Sequence, residues 1–260
     1  MKLSGNVAVI TGASMGIGEA LTRELVARGA QVVMSSRDLQ RVEAARARIG
    51  APSQTEPIRC DVTQRDQIRS LVETVVSRYS RIALWVNNAG YGILDAIANT
   101  DLEKCRAMFE TNLFAVIACM QEVIPVMKAQ RTGSIVNISS VAGHIPVPYM
   151  GAYCATKHAL NAIGKAARVE LKGTGVNVIT VCPGRVRTNF GQNVIRGEQA
   201  FQIGTALNRG ISAERAARAI VRAYLKNKRE VVVPWTNKIP IALYRVVPGL
   251  VEFGMTKMMR

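Results

Sequence analysis

Short apolar runs alternate with longer segments of mixed apolar and polar residues along most of the chain. The runs are rich in β-branched residues and nearly continuous in apolar character, which is typical of parallel strands buried on both faces. They cover residues 7–11, 31–36, 56–60, 82–87, 134–139, 177–182 and 230–234. The longer segments repeat apolar residues at helical spacing and cover residues 17–28, 39–49, 64–79, 102–129, 153–171 and 213–226. This alternation predicts an α/β fold, a doubly wound parallel sheet of about seven strands with helices on both faces.

A single domain, residues 1–260, accounts for the pattern, because no repeat or linker-like change in composition interrupts it. Two stretches lie outside the alternation. Residues 189–212 are dotted with glycine and weakly periodic, which indicates a mobile substrate flap over the strand ends. Residues 235–260 form a C-terminal extension that we expect Pro240 and Pro248 to break. The extension could cover the chain's own sheet or the mouth of the site, pack in a dimer, or lie on a membrane surface.

The composition is that of a globular protein, with 48% apolar and 20% charged residues in 260. The formal net charge is 34 − 18 = +16, which could serve nucleic acid, an anionic membrane or an anionic ligand. The basic residues are spread along the chain, so solvated helix faces explain most of the excess and we expect no specific nucleic-acid partner. No apolar run reaches the roughly 18–20 uncharged residues of a membrane-spanning helix. Five scattered cysteines without paired spacing predict buried thiols, no metal site and a cytoplasmic protein.

Residues 11–18, TGASMGIG, follow the first predicted strand and open the first predicted helix. Glycines at such a junction let the backbone approach a diphosphate closely, and the helix N-terminus supplies unpaired N–H groups and a partial positive charge. A glycine-rich turn by itself could be an ordinary connection. Three glycines at the first junction, Gly12, Gly16 and Gly18, instead predict a dinucleotide site.

The end of the second predicted strand indicates which dinucleotide binds. A carboxylate there usually holds the ribose of NAD, whereas an arginine accommodates the 2′-phosphate of NADP. Here Ser36 and Arg37 precede Asp38, so the strand tip carries no acid and an arginine follows it. The pattern favours NADP(H) over NAD, with Ser36 as an additional donor. The alternative is that Arg37 is a solvated charge beside a helix capped by Asp38.

Four further motifs follow in order. They are Cys60-Asp61-Val62, the NNAG sequence at 87–90, a serine pair ending at Ser140 ahead of the YxxxK of residues 153–157, and the PGxVxT of residues 183–188. Together with the glycine loop, these motifs resemble those of the short-chain dehydrogenase/reductase family over residues 5–234. The resemblance implies a Rossmann-type fold and an oxidoreductase that acts on a CH–OH group or a carbonyl.

The resemblance also implies which residues bind the cofactor. Asp61 would take the adenine amino group, Val62 would pack on the ring, and Thr188 would bond the nicotinamide carboxamide. The implied cofactor-binding set is Gly12, Ser14, Met15, Gly16, Ile17, Gly18, Ser36, Arg37, Asp61, Val62, Asn88, Ala89, Gly90, Tyr153, Lys157, Pro183, Gly184, Val186 and Thr188.

Tyr153 and Lys157 lie four residues apart, so both project from one face of a helix. A phenol is a poor base at neutral pH, and we expect the neighbouring ammonium to lower its pKa. In the reductive direction the same phenol would protonate the nascent alkoxide. Family spacing implies that Ser140 holds the carbonyl oxygen, whereas strand alternation points Ser139 the other way. Asn112 resembles the family residue that takes part in a proton relay to Lys157.

Three segments should wall the substrate pocket, residues 91–98, residues 141–151 and the flap. Their apolar residues favour a small hydrophobic carbonyl or alcohol as substrate. The residues expected to line the pocket are Ile93, Ile145, Val147, Pro148, Tyr149 and Met150, with His144 a candidate for its rim.

The helices at 102–129 and 153–171 resemble those that pair in family dimers, so we expect a homodimer or homotetramer. Other functions stay open at this point. The chain could be a non-catalytic NADP-binding scaffold associated with nucleic acid or a membrane, or an NAD-dependent alcohol dehydrogenase. A lyase, epimerase or dehydratase on the same fold is a further alternative.

Overall fold

The structure is a computed structural model and describes residues 3–188, 190–197 and 210–258. Its strands are, in chain order, β1 (Val7–Thr11), β2 (Gln31–Ser36), β3 (Thr55–Arg59), β4 (Leu84–Asn87), β5 (Ile93–Leu94), β6 (Gly133–Ile138), β7 (Val176–Pro183), β8 (Val186–Arg187), β9 (Ile195–Arg196), β10 (Ile211–Ser212) and β11 (Glu230–Val233). Its α-helices are α1 (Gly16–Val26), α2 (Leu39–Ile49), α3 (Arg65–Tyr79), α4 (Leu102–Phe109), α5 (Ala115–Ala129), α6 (Gly151–Glu170), α7 (Phe190–Asn193), α8 (Ala213–Leu225), α9 (Lys238–Val246) and α10 (Pro248–Met258).

Seven strands form one sheet in the order β3-β2-β1-β4-β6-β7-β11, and every neighbouring pair is parallel. The predicted doubly wound α/β fold is therefore confirmed. The strand order reverses direction between β1 and β4, and in such sheets ligands bind outside the carboxyl ends of the strands at that point. The glycine loop follows β1 and the NNAG sequence follows β4, so the fold brings both motifs to one crevice.

Two apolar cores lie on opposite faces of the sheet. Alternate residues of β1 face opposite ways, so Ala8 and Ile10 join one core while Val7 and Val9 join the other. Helices α1, α2 and α8 cover the first core, and α3, α5 and α6 cover the second. Because both faces are covered, the central strands carry apolar residues at nearly every position, as their sequence pattern predicted.

The helix predicted at 102–129 is divided. A π-helical turn, Glu110–Phe114, separates α4 from α5. The whole segment is long and apolar enough to cross a membrane, judged by length and composition alone. Its side chains Met108, Val116, Cys119 and Met127 are buried in the cores of the fold, so it is a core helix here.

The C-terminal extension is helical, which corrects the expectation that both prolines break it. Pro240 lies in the first turn of α9, and Pro248 is the first residue of α10. Proline is tolerated there because the first turn of a helix leaves its N–H groups without intrahelical partners. Of these two prolines, Pro240 does not interrupt a helix, whereas Pro248 lies at the bend between α9 and α10.

The predicted flap is described only in part. Its described portion includes α7 and the two-residue strands β9 and β10, which pair in parallel with β5 and β8. These pairs attach the ends of the flap to the loops around the crevice. Residue 189 and residues 198–209, on which the prediction of a mobile segment also rests, lie outside the described residues.

Candidate active site

The glycine loop after β1 is shaped by contacts that leave no room for side chains. Gly12 has a left-handed φ of 64°, and a Cβ there would lie 2.8 Å from the Ala89 Cα atom. A Cβ on Gly18 would lie 2.5 Å from the Gly12 carbonyl oxygen. Helix α1 therefore begins directly under the loop, with its N-terminus open to the crevice. This is the cradle that a diphosphate needs.

The NNAG sequence holds the loop in place. The Asn88 side-chain amide donates to the carbonyl oxygens of Thr11 and Gly12, both at 2.9 Å. In return, the Thr11 hydroxyl accepts from the backbone N–H groups of Asn88 and Ala89, at 3.1 and 3.2 Å. The carboxyl ends of β1 and β4 are thus locked together by four hydrogen bonds, and the cradle is preorganised.

A cavity of about 1810 Å³ runs along the carboxyl edge of the sheet. All predicted site residues except Gly18 and Asn112 line it. Those lining it are Gly12, Ser14, Met15, Gly16, Ile17, Ser36, Arg37, Asp61, Val62, Asn88, Ala89, Gly90, Ser140, Tyr153, Lys157, Pro183, Gly184, Val186 and Thr188. The fold therefore joins motifs separated by more than 170 residues into one site.

One end of the cavity is basic. Ser36 ends β2 and the exposed Arg37 follows it, and Arg41 from the first turn of α2 joins them. Asp38, the acid nearest to this end, is engaged elsewhere. One of its carboxylate oxygens caps α2 by accepting from Arg41 N at 3.1 Å, and the other lies 3.1 Å from Arg41 Nε. The sequence argument missed Arg41. Its spacing of four residues from Arg37 could have indicated it.

The segment after β3 is fixed by local hydrogen bonds. The Asp61 carboxylate accepts from the Thr63 backbone N–H at 3.0 Å and from its hydroxyl at 2.8 Å. The Asp61 backbone N–H donates to Gln67 Oε1 at 2.9 Å. Val62 is buried, and both residues line the cavity beside the glycine loop. Their contacts to adenine remain a prediction.

Ser140, Tyr153 and Lys157 meet in the middle of the cavity wall. Ser140 follows β6, and its hydroxyl accepts from the Ala142 backbone N–H at 3.1 Å and lies close enough to Tyr153 to lower the pKa of the phenol. Lys157 is one turn further along α6, with Nζ 5.7 Å from the centre of the Tyr153 ring. Lys157 Nζ also donates to the Ile138 carbonyl at 3.0 Å. Ser139 also lines the cavity, but its hydroxyl donates to the Lys157 carbonyl at 3.3 Å.

Burial controls the protonation of this pair. It raises the pKa of Tyr153 to about 12, with the hydrogen bond from Ser140 acting in the opposite direction. It lowers the pKa of Lys157 to about 8. Desolvation thus outweighs the lowering expected from the neighbouring Lys157, and Tyr153 is a neutral phenol at pH 7. Any lowering of its pKa is left to the cofactor-bound state, where it stays a prediction.

Asn112 lies behind these residues, in the π turn. It is fully buried; its amide donates to the Tyr91 carbonyl at 2.8 Å and the Thr156 hydroxyl at 3.2 Å, while its carbonyl oxygen accepts from Tyr91 N. A Cβ on Gly90 would lie 2.8 Å from Asn112 Oδ1 and 3.8 Å from Lys157 Nζ. The Asn112 side chain thus braces the loop after β4 against α6, and a π turn is a frequent feature of functional sites.

The substrate end of the cavity differs in part from the expected set. Val147, Pro148 and Met150 line it, as predicted. Ile93 and Ile145 do not, because both are buried in packed apolar clusters. Tyr149 instead lines a smaller neighbouring cavity. The wall is completed by apolar residues that lie in the predicted wall segments but were not named individually: Leu94, Phe190, Val194 and Ile195.

Phe190 packs directly against Tyr153. Its ring centre lies 5.8 Å from that of Tyr153, with the rings tilted by 57°. It comes from α7, at the start of the segment predicted as a flap. The hydrophobic periodicity of residues 189–212 is weak, so it did not indicate which of their side chains would face the cavity.

His144 is not a rim residue. Its side chain is only 4% exposed, and its Nε2 lies 3.4 Å from the Cys182 sulfur and 3.5 Å from Glu230 Oε1. Donor atoms of these three residues lie within 4.8 Å of one another, a spacing that a metal ion could bridge, whereas the sequence predicts no metal site. Lys165 Nζ lies 3.3 Å from the other Glu230 oxygen, so a cation already pairs with this carboxylate. Burial lowers the pKa of His144 and favours a neutral ring.

A doubly wound sheet, a glycine cradle at the switch point and a serine–tyrosine–lysine cluster beside it define a dinucleotide-dependent oxidoreductase. Comparison with known proteins agrees. The family model described as short chain dehydrogenase matches residues 6–199. The chain belongs to the short-chain dehydrogenase/reductase family.

Two relatives illustrate the range of activities near this chain. It is 37% identical to a 3-oxoacyl-(acyl-carrier-protein) reductase of Thermotoga maritima over 189 residues, which cover 72% of this chain and 77% of that protein. It is 35% identical to a farnesol dehydrogenase of Aedes aegypti over 209 residues, which cover 77% and 85%.

Solved structures share the whole fold. A short chain dehydrogenase from Burkholderia cenocepacia in complex with NADP superposes with a TM-score of 0.82 at 26% identity, covering 98% of this chain and 99% of the other. A family member from Burkholderia phymatum in complex with NAD superposes with a TM-score of 0.90 at 23% identity, covering 96% of each chain. Proteins of this fold therefore bind either dinucleotide.

Proposed function

We propose that the protein is an NADP(H)-dependent oxidoreductase that interconverts a carbonyl and a secondary alcohol on a small hydrophobic substrate. The observation that carries this proposal is the meeting of Ser140, Tyr153 and Lys157 beside the glycine cradle in one cavity. A scaffold that only bound a dinucleotide would need the cradle but not this cluster.

The cradle fits a dinucleotide because side chains are excluded where the diphosphate would lie. A Cβ on Gly16 would lie 3.2 Å from Thr188 Cβ, so the loop and the segment after β7 approach each other closely. Ser36, Arg37 and Arg41 would hold the 2′-phosphate, since guanidinium groups bind phosphate through paired hydrogen bonds. The Asp38 carboxylate caps α2, so it does not face the position of the 2′-phosphate.

When bound, the nicotinamide supplies the hydride that is added to, or taken from, the substrate carbon. The protein's part is to position the oxygen and move its proton. Tyr153, neutral because burial raises its pKa, donates its proton to the oxygen as negative charge develops there. The Ser140 hydroxyl, which lines the cavity together with Tyr153, orients the same oxygen.

Lys157 stabilises the phenolate that remains once Tyr153 has given up its proton. Its ammonium is buried, so little solvent screens the charge from the Tyr153 ring 5.7 Å away. Asn112 keeps the Gly90–Tyr91 backbone against α6, and we propose that its main chain takes part in returning a proton from solvent.

The substrate is inferred from the wall of the cavity. Leu94, Val147, Phe190 and Val194 present apolar surface around the phenol, which suits a hydrocarbon body bearing one carbonyl. The names of the farnesol dehydrogenase and 3-oxoacyl reductase relatives are compatible with such a substrate. We further propose a homo-oligomer, because family members are commonly oligomeric, and the cytoplasm as its location.

The test is the turnover of a panel of aliphatic, aromatic and polycyclic ketones and aldehydes, followed by the loss of NADPH absorbance. We expect Tyr153→Phe to lower kcat by about 10²–10⁴-fold while NADPH binding, measured by fluorescence, persists. Tyr79→Phe is the matched control, because the Tyr79 hydroxyl bonds Glu56 outside the cavity. NADPH binding without turnover of any carbonyl would favour the scaffold, and unchanged turnover by Tyr153→Phe would refute the mechanism.

A further inference from the structure

The last described part of the chain forms a bent pair of helices with unusual apolar exposure. We name residues 235–257 the C-terminal elbow; its two helical segments, Trp235–Val246 and Pro248–Lys257, meet at 118°. Among the described residues, seven of the thirteen exposed large apolar side chains belong to it. They are Trp235, Ile239, Leu243, Val246, Val247, Leu250 and Phe253, with exposures from 41% to 79%.

The exposed side chains form a face, since Ile239, Leu243 and Val246 follow the i, i+4, i+7 spacing of one helix stripe. The opposite side of α9 is apolar as well, because Ile241 and Tyr244 pack in the cluster that contains Cys182 and Val232. A helix that is apolar on both sides normally has partners on both sides. Among residues 3–188, 190–197 and 210–258, the elbow has a packing partner on one side only.

The charges of the elbow indicate what the partner is. Its ionisable groups apart from the tyrosine are Lys238, Arg245, Lys257 and Glu252, a net charge of 3 − 1 = +2, and the whole chain carries +16. A second copy would bring the same cations to the contact and be repelled. An anionic lipid surface offers complementary charge together with an apolar interior. The elbow likewise places a cation beside an apolar ring, because Lys257 Nζ lies 4.9 Å from the centre of the Phe253 ring.

The length of the elbow favours lying in the interface over spanning the bilayer. At about 1.5 Å per residue, α9 and α10 are each less than about 20 Å long, whereas the hydrocarbon core is about 30 Å thick. Short helices with an apolar face and flanking cations bind at the boundary of headgroups and acyl chains. An exposed tryptophan is typical of this boundary.

The elbow also lies beside the apolar end of the site. Met255 and Thr256 of α10 face Ile97 and residues 146–149 across a small cavity of about 410 Å³. Val147 and Pro148 line both this cavity and the large one. A surface that binds the elbow would thus lie close to the apolar end of the site.

We propose that the C-terminal elbow docks the protein peripherally on an anionic lipid bilayer. Docking places the mouth of the cavity near the acyl chains, where hydrophobic carbonyl compounds partition. That last consequence rests on the proposed function, whereas the docking itself does not.

The test is co-sedimentation of the full chain with vesicles of phosphatidylcholine alone or of phosphatidylcholine with phosphatidylglycerol, at low and high salt. The wild type should pellet with the anionic vesicles at low salt, and less at high salt. The double variant Ile239→Gln with Phe253→Gln should lower the partition coefficient at least about tenfold. The control, Leu39→Gln with Leu225→Gln, removes exposed apolar side chains from α2 and α8, outside both the elbow and the helices expected to pair in a dimer, and should pellet like the wild type.

Thermal melting checks that the variants fold. If the double variant does not, Lys238→Gln with Lys257→Gln replaces it and should weaken pelleting at low salt only. The proposal is overturned if the wild type stays in the supernatant, or if the elbow and control variants pellet equally. It is also overturned if the wild type does not bind vesicles and the elbow variant has a lower mass than the wild type by light scattering, because the exposed face would then join two copies. None of these readouts needs turnover, so failure here is distinguishable from failure of the proposed function.

Discussion

Replacement of Arg37 by glutamine tests the basic end of the cavity. The change removes a charge and the paired donors but keeps a polar side chain of similar length. Ser36 remains, and so does Arg41, which is held by Asp38 through a contact of 3.1 Å. Because Asp38 pairs with Arg41 and not with Arg37, the substitution should mainly weaken binding of a 2′-phosphate.

The magnitude follows from the exposure of the site. A hydrogen bond to a charged group contributes about 1.5–3 kcal/mol in a protected setting. Arg37 is exposed, so solvent screening reduces the expected loss to about 1–2 kcal/mol. Since 1.4 kcal/mol corresponds to about tenfold, kcat/KM for NADPH should fall by about 5- to 30-fold. The value for NADH should change by less than about twofold, because NADH has no phosphate at that position.

Initial rates with one carbonyl substrate and either reduced cofactor measure both values, at low and at moderate salt. The NADPH effect should shrink as salt rises. Arg65→Gln is the control, because it removes the same charge from α3, where Arg65 pairs with Glu122 outside the cavity. Equal losses with both cofactors, or a wild type that prefers NADH, would refute the assignment of Arg37 to the 2′-phosphate.

Two further predictions concern the cradle and the buried lysine. Gly18→Ala places a Cβ 2.5 Å from the Gly12 carbonyl oxygen. We expect this overlap to lower the free energy of unfolding by about 1–3 kcal/mol and Tm by about 2–12 °C, and to weaken cofactor binding. Gly254→Ala, which has open space around it, should change neither stability nor cofactor binding. Burial lowers the pKa of Lys157 to about 8, so its charge is present below pH 8 and lost above it. The rate of reduction, as kcat/KM for NADPH, should therefore fall about tenfold for each pH unit above 8, and Lys157→Met should be slow with no inflection there. A wild-type profile flat to pH 10, or normal melting and binding in Gly18→Ala, would contradict these expectations.

Much of the fold could be predicted because its causes are local. Strands buried on both faces need apolar residues at almost every position, and helices packed on a sheet need them every three to four residues. The bounds of β1 and β2 were predicted to the residue. The interruption of the helix at 102–129 was not, because the residues on either side of the π turn are ordinary helix formers, and the turn depends on the contacts of Asn112 with Tyr91 and Thr156.

The candidate site was predictable where spacing along the chain fixes position in space. The glycine loop and the Tyr153–Lys157 pair are of this kind. The pocket wall was less so, because an apolar side chain such as Ile93 or Ile145 suits a packed core as well as a cavity. Which of them faces the substrate depends on how the loops pack, and that information is not local.

The π turn has a consequence for how the chain tolerates change. One residue more or less within a helix rotates everything on one side of it by about 100° relative to the other. Deleting a single residue from Glu110–Phe114 would restore a regular spiral and swing Met108, now fully enclosed, toward solvent while α5 stayed in register. A change of length in this stretch should therefore cost more than a substitution at one of its exposed positions, because the π turn fixes the rotation of α4 relative to α5.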